Sequence, residues 1–126
     1  MANLVKESLD LAENKEFKPG RNPIPKTSEM STEAHNELIK ENPLYGKIIC
    51  RCEKVTEGEI VDAINGPLGA RTVDGIKRRV RATAGRCQGG FCLPSIIEIM
   101  ARELGVDGEE ITKKGNNSYY IEKRAK

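Results

Sequence analysis

A chain of 126 residues, 37% hydrophobic and 32% charged, has room for one compact domain with extended arms but only a thin core. With two Phe, three Tyr and no Trp it has few large side chains to pack, and such a chain gains from a metal or another staple. A net charge of +2 excludes a nucleic-acid binder defined by overall charge, and no run approaches the about 18 apolar residues of a membrane span.

The start, Met1-Ala2-Asn3-Leu4-Val5-Lys6-Glu7, lacks the basic-then-apolar layout of a secretory signal, so the expectation is a soluble, cytoplasmic protein. Residues 3–13 carry Leu4, Leu9 and Leu11 among charges, which predicts a short helix. Residues 17–30 hold Pro19, Pro23 and Pro25 and read as an extended arm. Ser31 or Thr32 caps a helix running to about Glu41, stopped by Asn42-Pro43. Lys47-Ile48-Ile49 is a short extended lead into Cys50-Arg51-Cys52. Thr56-Glu57-Gly58-Glu59 is a capping box that opens a helix with Ile60, Val61 and Ile64 on one face and Asn65-Gly66-Pro67 as its stop. Thr72 starts the next helix, with Val73, Ile76 and Val80 inward, fading at Ala84-Gly85. Leu93 to Leu104 is the most apolar helix, closed by Gly105, and Asp107-Gly108-Glu109-Glu110 is a second capping box before a polar tail. The expected fold is all-α, a small bundle of short helices with cysteine-bearing loops and an extended N-terminal arm. Its expected divisions are an arm over 1–45, a domain over 46–115 and a tail over 116–126.

The cysteines form two pairs, Cys50-x-Cys52 and Cys87-x4-Cys92, separated by a 34-residue insert. In a reducing compartment such spacings favour metal binding over disulfides. Four thiolates satisfy either a [2Fe-2S] cluster or a tetrahedral zinc ion. Structural zinc usually takes Cys-x2-4-Cys knuckles, and Cys-x-Cys is too tight for that turn. The second loop, Gly85-Arg86-Cys87-Gln88-Gly89-Gly90-Phe91-Cys92, has three glycines, which let the backbone approach and turn its amides toward sulfur. A tetrathiolate [2Fe-2S] centre carries a net charge of −2 when oxidised and −3 when reduced, and burying it calls for nearby cations or dipoles. Arg51, Arg71, Lys77, Arg78, Arg79, Arg81 and Arg86 are available, as is the N-terminus of the helix after Cys92. The alternative left open here is a zinc-stabilised structural or interaction module with no redox role.

Other features are weaker. The basic stretch Lys77-Arg78-Arg79-x-Arg81 reads as a solvated face, charge compensation or a docking surface for a flavoprotein ahead of a nucleic-acid contact. His35, the single histidine, sits among polar residues with no ligand role to fill. Glu59 has a capping role, and Glu53 and Glu57 read as solvated. Tyr119 and Tyr120 read as a packing anchor for the tail. No Ser-His-Asp or Cys-His arrangement offers nucleophilic catalysis, so no catalytic residue is expected.

The runs Ile49-Cys50-Arg51-Cys52-Glu53-Lys54-Val55-Thr56-Glu57-Gly58-Glu59-Ile60 and Gly85-Arg86-Cys87-Gln88-Gly89-Gly90-Phe91-Cys92 closely resemble the bacterioferritin-associated-ferredoxin-like (BFD-like) [2Fe-2S] domain. The version is similar to the C-terminal domain of FAD-dependent glycerol-3-phosphate dehydrogenases of the anaerobic type. The likeness extends through Pro67-Leu68-Gly69-Ala70-Arg71-Thr72 and Lys77-Arg78-Arg79, roughly residues 43–115. It implies a small helical fold around a cluster, with Cys50, Cys52, Cys87 and Cys92 as ligands. It also implies an electron relay from a flavin to an acceptor of unspecified nature. The flavin would lie in a domain of the same polypeptide or in a flavoprotein subunit. This chain has no Gly-x-Gly-x-x-Gly fingerprint after a strand, so FAD belongs to that other domain, and the chain reads as a C-terminal piece or a free-standing subunit.

Overall fold

The computed structural model describes residues 22–122 continuously, together with Leu4, Ser8, Leu9, residues 14–16 and Gly20. Of the helix expected over 3–13, Leu4, Ser8 and Leu9 have helical backbone; Leu11 and the rest lie outside the described residues, as do residues 17–19 of the arm. Among the continuously described residues four helices run in order: α1 (Thr32–Glu41), α2 (Glu57–Asn65), α3 (Val73–Val80) and α4 (Leu93–Leu104). Single 3-10 turns lie at Thr27–Glu29, Pro43–Gly46 and Gly108–Glu110.

Capping chemistry sets the starts. The Ser31 side chain accepts from the Ala34 amide, Thr56 from Glu59 and Thr72 from Gly75, each satisfying an amide that the first turn leaves without a partner. At α2 and at the Asp107 turn the box is reciprocal, with the Glu59 and Glu110 side chains reaching back to the cap amide. α4 has Pro94 in its first turn and ends on Gly105 in the left-handed conformation, φ 66°.

Two points differ from expectation. The fold is mostly helical but not all-α: β1 (Ile48–Cys50) and β2 (Val55–Thr56) pair antiparallel, with Ile48 opposite Thr56 and Cys50 opposite Val55. The chain reverses between them through Arg51–Lys54, with Lys54 at φ 53°. Strands this short have no periodicity to read. The second point is the end of α3. It stops at Val80 rather than at Ala84-Gly85, because Arg81 takes a left-handed cap at φ 64°. Ala82 and Thr83 then leave the helix and turn into the core, 0% and 7% exposed.

α2 lies at the centre, packed on α4 and α3. Ile60, Ile64, Val73, Ile76, Ile96 and Met100 are fully buried, and each such side chain contributes about 1.5–3 kcal/mol of hydrophobic burial. Cys50 and Cys92 belong to the same cluster. The arm is anchored to this core. Thr27 is buried, its amide and hydroxyl donating to Glu59, and Tyr45 lies under α2 with its hydroxyl on Asp62. Gly58 leaves room for that ring: a Cβ there would lie 2.5 Å from Tyr45 Cδ2.

Candidate metal centre

The β1–β2 hairpin positions the first cysteine pair: Cys50 ends β1, buried, and Cys52 stands in the turn, exposed. The segment from Arg81 to Cys92 positions the second. It folds as consecutive tight turns, with amide bonds from Ala84 to Arg81, Gln88 to Gly85 and Gly90 to Cys87. The Gln88 side chain fastens the middle turn by donating to the Gly85 carbonyl at 2.9 Å. Thr83 at φ 69°, Gln88 at φ 49° and Gly89 at φ 89° supply the reversals. The hairpin and the loop meet at Gly85, where a Cβ would collide with Cys52 Cβ; only glycine permits that approach.

All four cysteines are free thiols, and they stand as two neighbouring pairs drawn one from each loop. Cys52 Sγ lies 3.4 Å from Cys87 Sγ on the outward side. Cys50 and Cys92, 1% and 2% exposed, face each other on the inward side. Their environments differ. The Cys52 thiol and then the backbone N–H groups of Gly89, Phe91 and Gly90 hydrogen-bond to Cys87 and hold it below the ordinary thiol range. Burial, followed by the charge and hydrogen bond of Cys50, pushes Cys92 up to about 11, although the Thr83 backbone N–H opposes that. A positively charged centre placed among these sulfurs would favour the thiolates and offset the burial cost.

The donor set therefore fits an iron–sulfur centre: four soft sulfurs, with backbone N–H groups directed at two of them. Among the described residues no three His, Cys, Asp or Glu side chains gather closely enough to hold one ion.

The surrounding cations divide. Arg71 donates to the Ile64 and Ala70 carbonyls, Arg79 to those of Gly75 and Leu68, and Arg81 pairs with Glu53 at 2.8 Å. These three serve local structure, while Arg51 and Arg86, next to the cysteines, are exposed. Glu57, expected to be solvated, is buried: Lys47 Nζ and Arg102 Nη1 each approach it at 2.8 Å. Burial raises its pKa, but the hydrogen bonds from Lys47 and Arg102 outweigh that and hold it below the usual carboxylate range. Glu53 is also partnered, by Arg81. His35 Nε2 is engaged with the Tyr45 carbonyl at 3.0 Å, in keeping with a structural role. Tyr119 and Thr112 form an isolated antiparallel backbone bridge, but the side chains of Tyr119 and Tyr120, expected to anchor the tail by packing, are 51% and 36% exposed. Sequence reasoning did not find the Thr27–Glu59 contact or the exposure of Phe91.

Comparison with known proteins agrees with this geometry. A glycerol 3-phosphate dehydrogenase of Caloramator mitchellensis is 56% identical over 120 residues, 94% of this chain and 25% of that protein. Hydrogen cyanide synthase subunit HcnB of Pseudomonas aeruginosa is 40% identical over 58 residues, covering 46% of this chain and 12% of the relative. An anaerobic glycerol-3-phosphate dehydrogenase component of Escherichia coli is 35% identical over 54 residues, covering 43% and 10%. The chain thus spans a quarter or less of the length of these relatives. No solved structure matches. No described helix is long and apolar enough to cross a membrane. Residues 48–102, a span that runs from β1 into α4 and holds all four cysteines, match the BFD-like [2Fe-2S] binding domain.

Proposed function

We propose that Cys50, Cys52, Cys87 and Cys92 hold a [2Fe-2S] cluster and that the chain is the electron-relay module of a flavin-dependent dehydrogenase of the glycerol-3-phosphate type. One observation carries the reading: the thiols stand as two cross-loop pairs, and the Cys87 sulfur receives the N–H groups of Gly89, Gly90 and Phe91. When bound, the cluster would supply a site that takes up and releases one electron at a time. The protein's part is to hold four thiolates and to solvate their charge with backbone N–H dipoles. It also keeps water from one side of the centre through Ile96, Ala82 and Thr83, all buried.

The relatives support this pairing of modules. A dehydrogenase and a component of a cyanide synthase share this segment although their names imply different substrates, which suits a carrier of electrons better than a binder of either substrate. Substrate oxidation then belongs to a flavin domain or a separate flavoprotein, and no residue of this chain is catalytic. The setting proposed is the cytoplasm.

The test is purification without oxygen, followed by a visible spectrum and assays of iron, acid-labile sulfide and zinc. Two irons and two sulfides per chain are expected, before or after reconstitution. A colourless protein that binds one zinc and rejects iron and sulfide would replace this reading with that of a zinc-stabilised module.

A further inference from the structure

From Cys50 to Lys54, and again from Arg81 to Cys92, the two cysteine loops contain a single acidic residue, Glu53. An acid is out of place there, because reduction adds negative charge to a tetrathiolate centre that is already anionic. Its side chain is only 22% exposed. Glu53 Oε1 lies 3.2 Å from the point that a Gly85 Cβ would occupy, and Cys52 Cβ crowds the same point at 2.4 Å. The carboxylate is thus held against the contact between the two loops, beside the outward Cys52.

Its partner is Arg81, whose Nε donates to Glu53 Oε2 at 2.8 Å. Arg81 belongs to the other loop and reaches the acid from φ 64°, a conformation that residues other than glycine rarely take. The same break ends α3 and sends Ala82 and Thr83 into the core, where the Thr83 backbone N–H meets Cys92. One residue therefore serves both sulfur pairs. Its backbone leads into the amide that reaches the inward pair, and its guanidinium covers the acid beside the outward pair. Backbone outliers of this kind gather at functional sites. As a plain stabilising contact the pair is weak, because Arg81 is 70% exposed and solvent screens it. The sheltered end is the carboxylate, so the charge beside Cys52 is the less screened of the two.

We propose that Glu53 and Arg81 are positioning residues that set the reduction potential of the cysteine-held centre, Glu53 lowering it and Arg81 offsetting Glu53. This assignment rests on the iron–sulfur reading above. The two members act with opposite sign. Without the carboxylate, an added electron meets less repulsion and the centre is easier to reduce. Without the guanidinium, the bare carboxylate makes reduction harder. A pair that only clamped the loops would behave otherwise: loss of either partner would loosen the same contact and shift the site the same way.

The test is a potential titration of the chain reconstituted with iron and sulfide without oxygen, the reduced fraction being read from the visible spectrum in the presence of mediator dyes. At a fixed potential near the parent midpoint, Glu53→Gln should raise the ratio of reduced to oxidised centre about two- to fivefold, the scale of a partly screened charge. Arg81→Gln should lower the ratio by a similar factor, and the double variant Glu53→Gln/Arg81→Gln should return it close to the parent. Lys40→Gln, which breaks the exposed Glu37–Lys40 pair of α1, is the control and should leave the ratio unchanged. Where a single variant holds no cluster, Glu53→Arg/Arg81→Glu keeps an ion pair with its ends exchanged. That chain should keep the parent's denaturation midpoint and raise the ratio. Single variants that shift the ratio in one direction or not at all overturn the proposal, as do an exchanged pair at the parent's potential and loss of the cluster from every variant of the pair. If the parent itself takes up no iron and sulfide, the cluster reading fails and the proposal falls with it. A parent that holds the cluster, with variants that titrate like it, removes the proposal alone.

Discussion

At the scale of single residues, the sulfurs and one carboxylate show how the same fold sets opposite environments. Cys87→Ser removes one of the two sulfurs placed to accept hydrogen bonds from backbone N–H groups. The expected result is loss of the visible absorption and of stoichiometric iron; a variant with full colour would displace Cys87 from the ligand set. Gly85→Ala forces a methyl into Cys52 Cβ, where the backbone itself must shift. A cost of about 1–3 kcal/mol in chemical denaturation is expected, as for overpacked cores, together with poorer cluster retention. Glu57 gives the pH dependence. Its folded pKa is depressed by Lys47 and Arg102 despite burial, so its contribution to stability is present above the unfolded carboxyl value and is lost as pH falls through the folded value. Thermal melts should therefore weaken as pH drops below about 4.3, the unperturbed Glu value, and Glu57→Gln should weaken that fall. Both cations are more than half exposed, which limits the size of the effect.

At the scale of elements, the helix starts were legible because each has a local chemical signature: Ser31, Thr56, Thr72 and Asp107 cap where their sequences say they should. What escaped was non-local or conformational. Arg81 ends α3 in a left-handed conformation that carries no glycine to announce it. The strands are too short for alternation to register, and Glu57 is buried by partners at Lys47 and Arg102 that no local pattern links to it. The four thiols were legible from spacing, but which sulfur stands beside which was not, since that depends on how two distant loops meet. The same left-handed residues bear on stability. Lys54, Thr83 and Gln88 occupy positive φ in the two cysteine loops, and a non-glycine residue there costs roughly 1–2 kcal/mol. Gln88→Gly relieves that conformation but also loses the side-chain bond to Gly85. Lys54→Gly, in contrast, is expected to stabilise the chain by a few tenths to about 1 kcal/mol, read as a higher denaturation midpoint.

At the scale of the whole molecule, the core and the metal site adjoin. Ile60, Ile64, Ile76, Ile96 and Met100 are buried in one cluster of apolar side chains, to which the cysteine loops contribute Cys50, Ala82 and Cys92. Removing metal is therefore expected to leave most of the helical circular dichroism in place and to raise amide exchange selectively over residues 81–92, where many turns hang on few buried contacts. Complete loss of helix on chelation would mean that the centre, not the apolar core, carries the fold.

The Glu59 side chain, finally, does two jobs with one carboxylate: it closes the cap of α2 through Thr56 and grips Thr27 of the arm. The arm cannot be lifted without loosening the first turn of the helix that follows the Cys52 hairpin. In a longer polypeptide this makes Thr27 a fixed pivot, so that tension or rotation imposed from upstream reaches the cysteine hairpin instead of dissipating in a slack tether.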